Sequence, residues 1–202
     1  MNKRIWLSSP HMGGNEMTYI QEAFNSNWIA PLGPNVHGFE EDLESYLGSD
    51  VKIANLSSGT AAIHLALILS GVNDKDEVIC QSFTFSASAN PIKYLGAKPV
   101  FIDSEIETWN MCPNVLEVAI KDRIKKGKKP KAIIVVNLYG MPAKIDQISM
   151  IAAKYKITLI EDAAESLGSS FKGKKCGTFG DFSILSFNGN KIITTSGGGA
   201  IV

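Results

Sequence analysis

Three short stretches of this 202-residue chain carry side chains that could do chemistry together. The first is Ser57-Ser58-Gly59-Thr60-Ala61-Ala62, between an extended segment and a helical one. The free N–H groups of a first helical turn point toward the preceding loop, and a glycine there lets the backbone approach a ligand closely. With the Thr60 hydroxyl added, the stretch can cradle a phosphate; taken alone, it also reads as an ordinary serine-capped helix start. The second is Ile160-Glu161-Asp162-Ala163-Ala164-Glu165, at the end of an apolar strand. Ligands of open α/β sheets sit beyond the carboxyl ends of the strands, so a carboxylate there, Asp162 above all, is placed for function. The competing reading is a solvated turn. A metal centre finds little support, because His11, His37 and His64 are scattered and none is near these acids. The third is Ser186-Phe187-Asn188-Gly189-Asn190-Lys191, followed by Thr194-Thr195-Ser196-Gly197-Gly198-Gly199. A lone lysine among small uncharged residues can be held in a pocket as a nucleophilic amine. It reads equally well as a lysine in an exposed hairpin turn.

Together the three stretches offer a phosphate cradle, a carboxylate for a ring nitrogen and an amine for a Schiff base. That is the protein's share of a pyridoxal-phosphate site. The elements that must position them follow from pattern. Residues 14 to 26 and 37 to 47 have apolar residues at helical spacing, the second with Phe39, Leu43, Tyr46 and Leu47 on one face and Gly48 as a stop. A loop with two prolines and a glycine joins them, residues 27 to 35. Extended and helical segments then alternate: KIANL, a helix over 60–69, EVICQ, a helical stretch with Pro91 early, KPVFID, a helix over 113–126, AIIVV, a helix over 144–155, TLIED, and strands within FGDFSILSF and KIITTSGGGAIV. Such alternation of nearly all-apolar strands with helices predicts an α/β fold: a mostly parallel sheet with helices on both faces.

Composition narrows the function. Lys+Arg and Asp+Glu both number 20, so net charge gives no argument for a nucleic-acid partner. The three cysteines are odd in number and lack Cys-x-x-Cys spacing, which disfavours a disulfide scaffold or zinc knuckle. Apolar runs such as Ala132 to Val136 are too short to span a bilayer, and the basic start lacks the apolar region of a signal peptide. A cytoplasmic enzyme is expected. No Gly-x-Gly-x-x-Gly follows a strand, and no Gly-x-x-x-x-Gly-Lys-Ser/Thr loop occurs, which counts against dinucleotide enzymes and nucleoside triphosphatases.

The stretches SNWIAPLGPNVHGFEEDLESYLG, NLSSGTAAIHLAL, SFTFSASANPIKYLGAKPVFID, NLYGMPAKID and IEDAAESLGSSFKGKKCGTFGDFSILSFNGNKIITTSGGG tile almost the whole chain. In that order they resemble the DegT/DnrJ/EryC1/StrS family of sugar aminotransferases. The resemblance implies the large domain of the type I aspartate-aminotransferase fold. Residues 1–34 would form an N-terminal helix and substrate-side loop, and residues 35–202 an incomplete domain binding pyridoxal 5'-phosphate, with the small domain lying beyond. The chain stops inside the apolar run ending Ile201-Val202, which fits an N-terminal portion of a longer protein.

The resemblance also implies roles. Gly59, Thr60 and Ser186 would bind the cofactor phosphate, Phe85 would stack on its ring, and Asp162 would pair with the ring nitrogen. Glu165 would lie near the cofactor, and Lys191 would hold it as a Schiff base and carry protons. Related dehydratases have histidine in place of this lysine, so its retention favours transamination. The implied reaction moves the amino group of L-glutamate to the 4-keto group of a nucleotide-linked 4-keto-6-deoxy sugar, of UDP-N-acetyl type or, as the competing reading, of the GDP-linked perosamine type. The implied assembly is a homodimer with shared active sites. A reading from another class is a cofactor-binding subunit without catalysis.

Overall fold

The computed structural model describes residues 4–5, 9, 11–28, 30–48 and 50–202. Ile29, in the loop read over residues 27 to 35, and most of the amino-terminal stretch read for a signal peptide lie outside the described residues. The chain divides into two compact units, Met1–Asn55 and Leu56–Val202.

The first unit contains helices α1 (Glu16–Asn25) and α2 (Pro34–Leu47). Proline opens α2 where the missing N–H costs nothing, and Gly48, at φ 139°, closes it with its N–H donating to Glu44 O. Of the expected apolar face, Leu43 and Leu47 are buried, whereas Tyr46 is exposed. Two carboxylates of α2 hold the chain that follows: Glu40 accepts from Asn55 N at 2.8 Å and Glu44 from Ile53 N at 3.1 Å. The apolar stripe read on α1 is real, but Met17, Ile20 and Phe24 are exposed, so the stripe marks no core here.

The second unit is built on a sheet. Its strands are β2 (Glu77–Gln81), β3 (Lys98–Ile102), β4 (Ala132–Val136), β5 (Thr158–Asp162), β8 (Phe182–Ser186) and β9 (Gly199–Ile201). They run in the order β9-β8-β5-β4-β2-β3, and β1 (Ala54–Leu56) precedes them in the chain. Pairing is parallel from β3 through β8 and antiparallel between β8 and β9, so the sheet is mixed and mostly parallel. Successive side chains on a strand alternate faces, and two cores result. One gathers Val78, Cys80, Ile134, Ile160 and Ile184 under α3 (Gly59–Leu69) and α4 (Asn90–Tyr94). The other gathers Ile79, Ile133, Val135 and Leu159 under α5 (Pro113–Lys125) and α6 (Ile145–Tyr155). From β2, next to the edge, the chain goes outward to β3 and then crosses back to β4 on the other side of β2, and this reversal is where an open sheet opens a crevice beyond its strands.

At the amino end of β2, Arg123 makes a two-pronged pair with Glu77, at 2.7 and 2.6 Å. A two-stranded ribbon, β6 (Ser170–Phe171) and β7 (Lys174–Lys175), turns through Lys172 and Gly173, both at positive φ. The strand read from Lys191 onward forms only at Gly199–Ile201. Residues 187–198 are instead a loop, pinched where Phe187 N donates to Gly198 O and Thr195 N donates to Phe187 O.

Candidate active site

The start of α3 has both properties read for it. Ser58 caps the helix, its Oγ accepting from Ala61 N at 3.1 Å, which leaves the N–H groups of Gly59 and Thr60 at the open end of the helix. Gly59 sits in tight surroundings. A Cβ built on it would lie 3.1 Å from Ser186 Cβ and 3.4 Å from Ser186 Oγ, so β8 brings the Ser186 hydroxyl to the same helix terminus. Gly198 N donates to Ser57 O, and the backbone of Gly199 runs so close that a Cβ there would overlap Gly59 N and Ser58 C.

Asp162 ends β5 and is 5% exposed. Ser88 Oγ donates to its Oδ2 at 2.7 Å and Ala164 N to its Oδ1 at 3.2 Å, while Thr84 Oγ1 and Ser88 Oγ are 2.8 Å apart. Burial pushes the Asp162 carboxyl above the usual aspartate range, against the opposing pull of those two donors and the nearby Lys191 charge. Lys191 Nζ lies 3.3 Å from Glu165 Oε1, and Tyr139 N donates to Glu165 Oε2 at 2.8 Å. The lysine side chain is only 14% exposed, so it is not the solvent-facing turn residue of the competing reading.

One cavity of about 390 Å³ gathers all seven residues read from the sequence: Gly59, Thr60, Phe85, Asp162, Glu165, Ser186 and Lys191. Phe85 is the most open of them, 76% exposed at the cavity wall. The set fits a phosphorylated aromatic aldehyde. A phosphate has a glycine-lined helix terminus and a hydroxyl, an aldehyde has an amine, and a cationic ring nitrogen would relieve a buried carboxyl whose charge is disfavoured. No group of three or more potential metal ligands occurs among the described residues. None of the described helices is long and apolar enough to cross a membrane.

Sequence reasoning missed the residues behind the site. Glu161, on the other face of β5, is fully buried. It accepts from Asn137 Nδ2 and Gly177 N at 2.8 Å on Oε1, and from Phe179 N at 2.8 Å and Ser183 Oγ at 3.0 Å on Oε2. Asn137, 1% exposed, also accepts from Ala143 N at 3.0 Å. The available signal was the strand alternation, which sends neighbours Glu161 and Asp162 to opposite faces.

A model of the DegT/DnrJ/EryC1/StrS aminotransferase family matches residues 10–202. EpsN of Bacillus subtilis (strain 168), named as a candidate pyridoxal phosphate-dependent aminotransferase, is 60% identical over the whole chain. The GDP-perosamine synthase of Escherichia coli O157:H7 is 43% identical over 99% of the chain. The chain spans about half the length of these curated relatives, 52% and 53%. Among solved structures, the PLP form of Spr1654 from Streptococcus pneumoniae, named as a candidate sugar aminotransferase, superposes with a TM-score of 0.90 at 32% identity, over 99% of this chain and 53% of that one.

Proposed function

The chain belongs to the DegT/DnrJ/EryC1/StrS aminotransferase family, and we propose that, within its full-length protein, it forms the pyridoxal 5'-phosphate site of a nucleotide-sugar transaminase. The observation that carries this reading is the convergence of Lys191, Asp162, Gly59 and Ser186 on one cavity. Bound there, the cofactor would supply an aldehyde that exchanges amines and a pyridine ring that accepts electrons. The chain's own residues do the rest. The Gly59 and Thr60 N–H groups and the Ser186 hydroxyl would anchor the cofactor phosphate and so help orient it toward Lys191. Asp162, held by Ser88, presents a carboxylate to the ring nitrogen and keeps a proton there. Phe85 offers an apolar face to the ring. Lys191 Nζ would be the amine that holds the cofactor and the group that carries the proton during amine exchange.

The amino donor is L-glutamate, and the acceptor is the 4-keto group of a nucleotide-linked 4-keto-6-deoxy sugar of UDP-N-acetyl type, made into a 4-amino sugar for surface glycan synthesis. A GDP-linked acceptor is the second reading, favoured by the 43% identity to a GDP-perosamine synthase. The functional unit is a homodimer with shared sites. Of this chain's two arginines, Arg123 is engaged by Glu77, and the partner subunit and the rest of the full-length protein would complete the platform for carboxylate and diphosphate.

The test uses the full-length protein. Borohydride reduction followed by peptide mass mapping places the cofactor on Lys191, and Lys191→Ala loses both the label and turnover; a label on another lysine overturns the assignment. Turnover per KM with UDP- and GDP-linked ketosugars, glutamate as donor, then decides the acceptor, and a GDP preference overturns the UDP reading.

A further inference from the structure

We infer that Asn137, which lines no part of the cavity, is a positioning residue for Lys191 acting through the turn that follows β4. The inference gains its meaning from the lysine assignment above, but its test does not depend on that assignment. The connection can be followed atom by atom. Asn137 Nδ2 donates to buried Glu161 and, at 3.2 Å, to Ser166 Oγ. Its Oδ1 accepts from Ala143 N, and its own N–H donates to Asp162 O at 3.1 Å. One side chain therefore ties both ends of the turn 137–143 to the segment that follows β5. Between those ties the backbone takes a left-handed step, Tyr139 at φ 51° and Gly140 at φ 84°. A non-glycine residue adopts that conformation only where its surroundings impose it. The step aims Tyr139 N at Glu165 Oε2, and the other oxygen of that carboxylate faces Lys191 Nζ. Ser169 Oγ donates to Gly140 O at 2.7 Å and holds the same turn from its other side.

A hydrogen bond to one carboxylate oxygen orients the whole group, because the two oxygens are rigidly coupled. If Asn137 is lost, the turn can relax from its strained step, Tyr139 N no longer fixes Glu165, and the carboxylate leaves the amine. The other charged group facing Lys191 is Asp162, whose donors Ser88 and Ala164 are not part of this chain of contacts.

The experiment measures acylation of each lysine in the full-length apoprotein by a limiting amine reagent at fixed pH, read by peptide mass mapping. Lys126, paired with Asp122, and Lys154, paired with Glu117, serve as internal references. Glu165→Gln is expected to raise Lys191 labelling about tenfold, because the amine loses the charge-assisted contact at 3.3 Å that holds it against the carboxylate. Asn137→Ser is expected to raise it about threefold, with the references unchanged, and the double variant to label no faster than Glu165→Gln alone. Ser169→Ala, which leaves Glu161 paired, is expected to raise it in the same direction, and carries the test if Asn137→Ser does not fold. Unchanged Lys191 labelling in both turn variants, or effects that multiply in the double variant, overturns the inference. Failure of borohydride to mark Lys191 would instead overturn the cofactor reading and leave these labelling ratios standing.

Discussion

Glu161 and Asp162 are consecutive carboxylates on one strand, both buried, and they do opposite work. Glu161 shares its face with Leu159 and the core under α5 and α6, where four donors converge on its two oxygens. Asp162 shares its face with Ile160 and the core under α3 and α4, where it has two donors and burial raises its carboxyl. A buried charge with every lone pair engaged is structure; a buried charge left short of partners is held ready for a ligand.

The largest effect should come from the satisfied partner. Glu161→Ala removes the acceptor of two backbone N–H groups and a serine hydroxyl and one of two acceptors of Asn137 Nδ2, at about 1–3 kcal/mol for each group left unsatisfied. The full-length variant is expected to be insoluble or to unfold at far lower urea; a wild-type urea midpoint would break the comparison. Asp162→Asn should behave in reverse. Because its folded-state pKa is raised, Asp162 binds its proton more tightly folded than unfolded, and the apoprotein loses stability from this group as pH rises from the ordinary aspartate value toward the raised one. The apo variant is thus expected to melt no lower than wild type at neutral pH, with a flatter pH dependence over that window. The half-reaction with glutamate, followed by stopped flow, should slow by about 10²-fold, the scale of a lost electrostatic partner. A stable wild type beside an unfolded variant, or a normal rate, would end the ready-for-ligand reading. The smallest effect is Ser88→Ala, which removes one of two donors to Asp162; it should weaken cofactor retention a few-fold in equilibrium dialysis without moving the melting temperature by much.

Much of this was legible beforehand where local pattern and tertiary role agree. EVICQ, AIIVV and TLIED are strands at the expected residues because apolar runs of that length have one stable place, inside a covered parallel sheet. Gly59, Thr60, Asp162 and Lys191 could be singled out because a helix start, a strand end and a lone lysine are local signals, whereas Phe85, Glu165 and Ser186 came from the family resemblance; the fold brings all seven to one cavity. Asn137 and Glu161 were not, since a polar residue in or after an apolar strand becomes a hub only when distant backbone, here Gly177 and Phe179, arrives to meet it. The ribbon through Lys172 and Gly173 had a signal, a lysine-glycine pair between short extended pieces, that went unread. KIITTSGGG reads as a strand by its β-branched residues. Instead Thr194 Oγ1 donates to Phe187 O and accepts from Ser196 N, and side-chain bonds of that kind give the backbone an alternative to a ladder.

The overlap a side chain on Gly199 would make with Gly59 also bears on when the site comes into being. The helix terminus and the strand that closes it lie at opposite ends of the second unit's sequence, so the cradle is among its longest-range closures. Contacts of that separation incur loop-closing entropy before any pairing rewards them, and they form late. On a ribosome, residues through β5 can assemble most of both cores while the phosphate cradle still lacks its outer wall. A ligand that needs that wall recognises only chains in which Gly199 has docked on the helix terminus, and its binding weights the balance toward them by mass action.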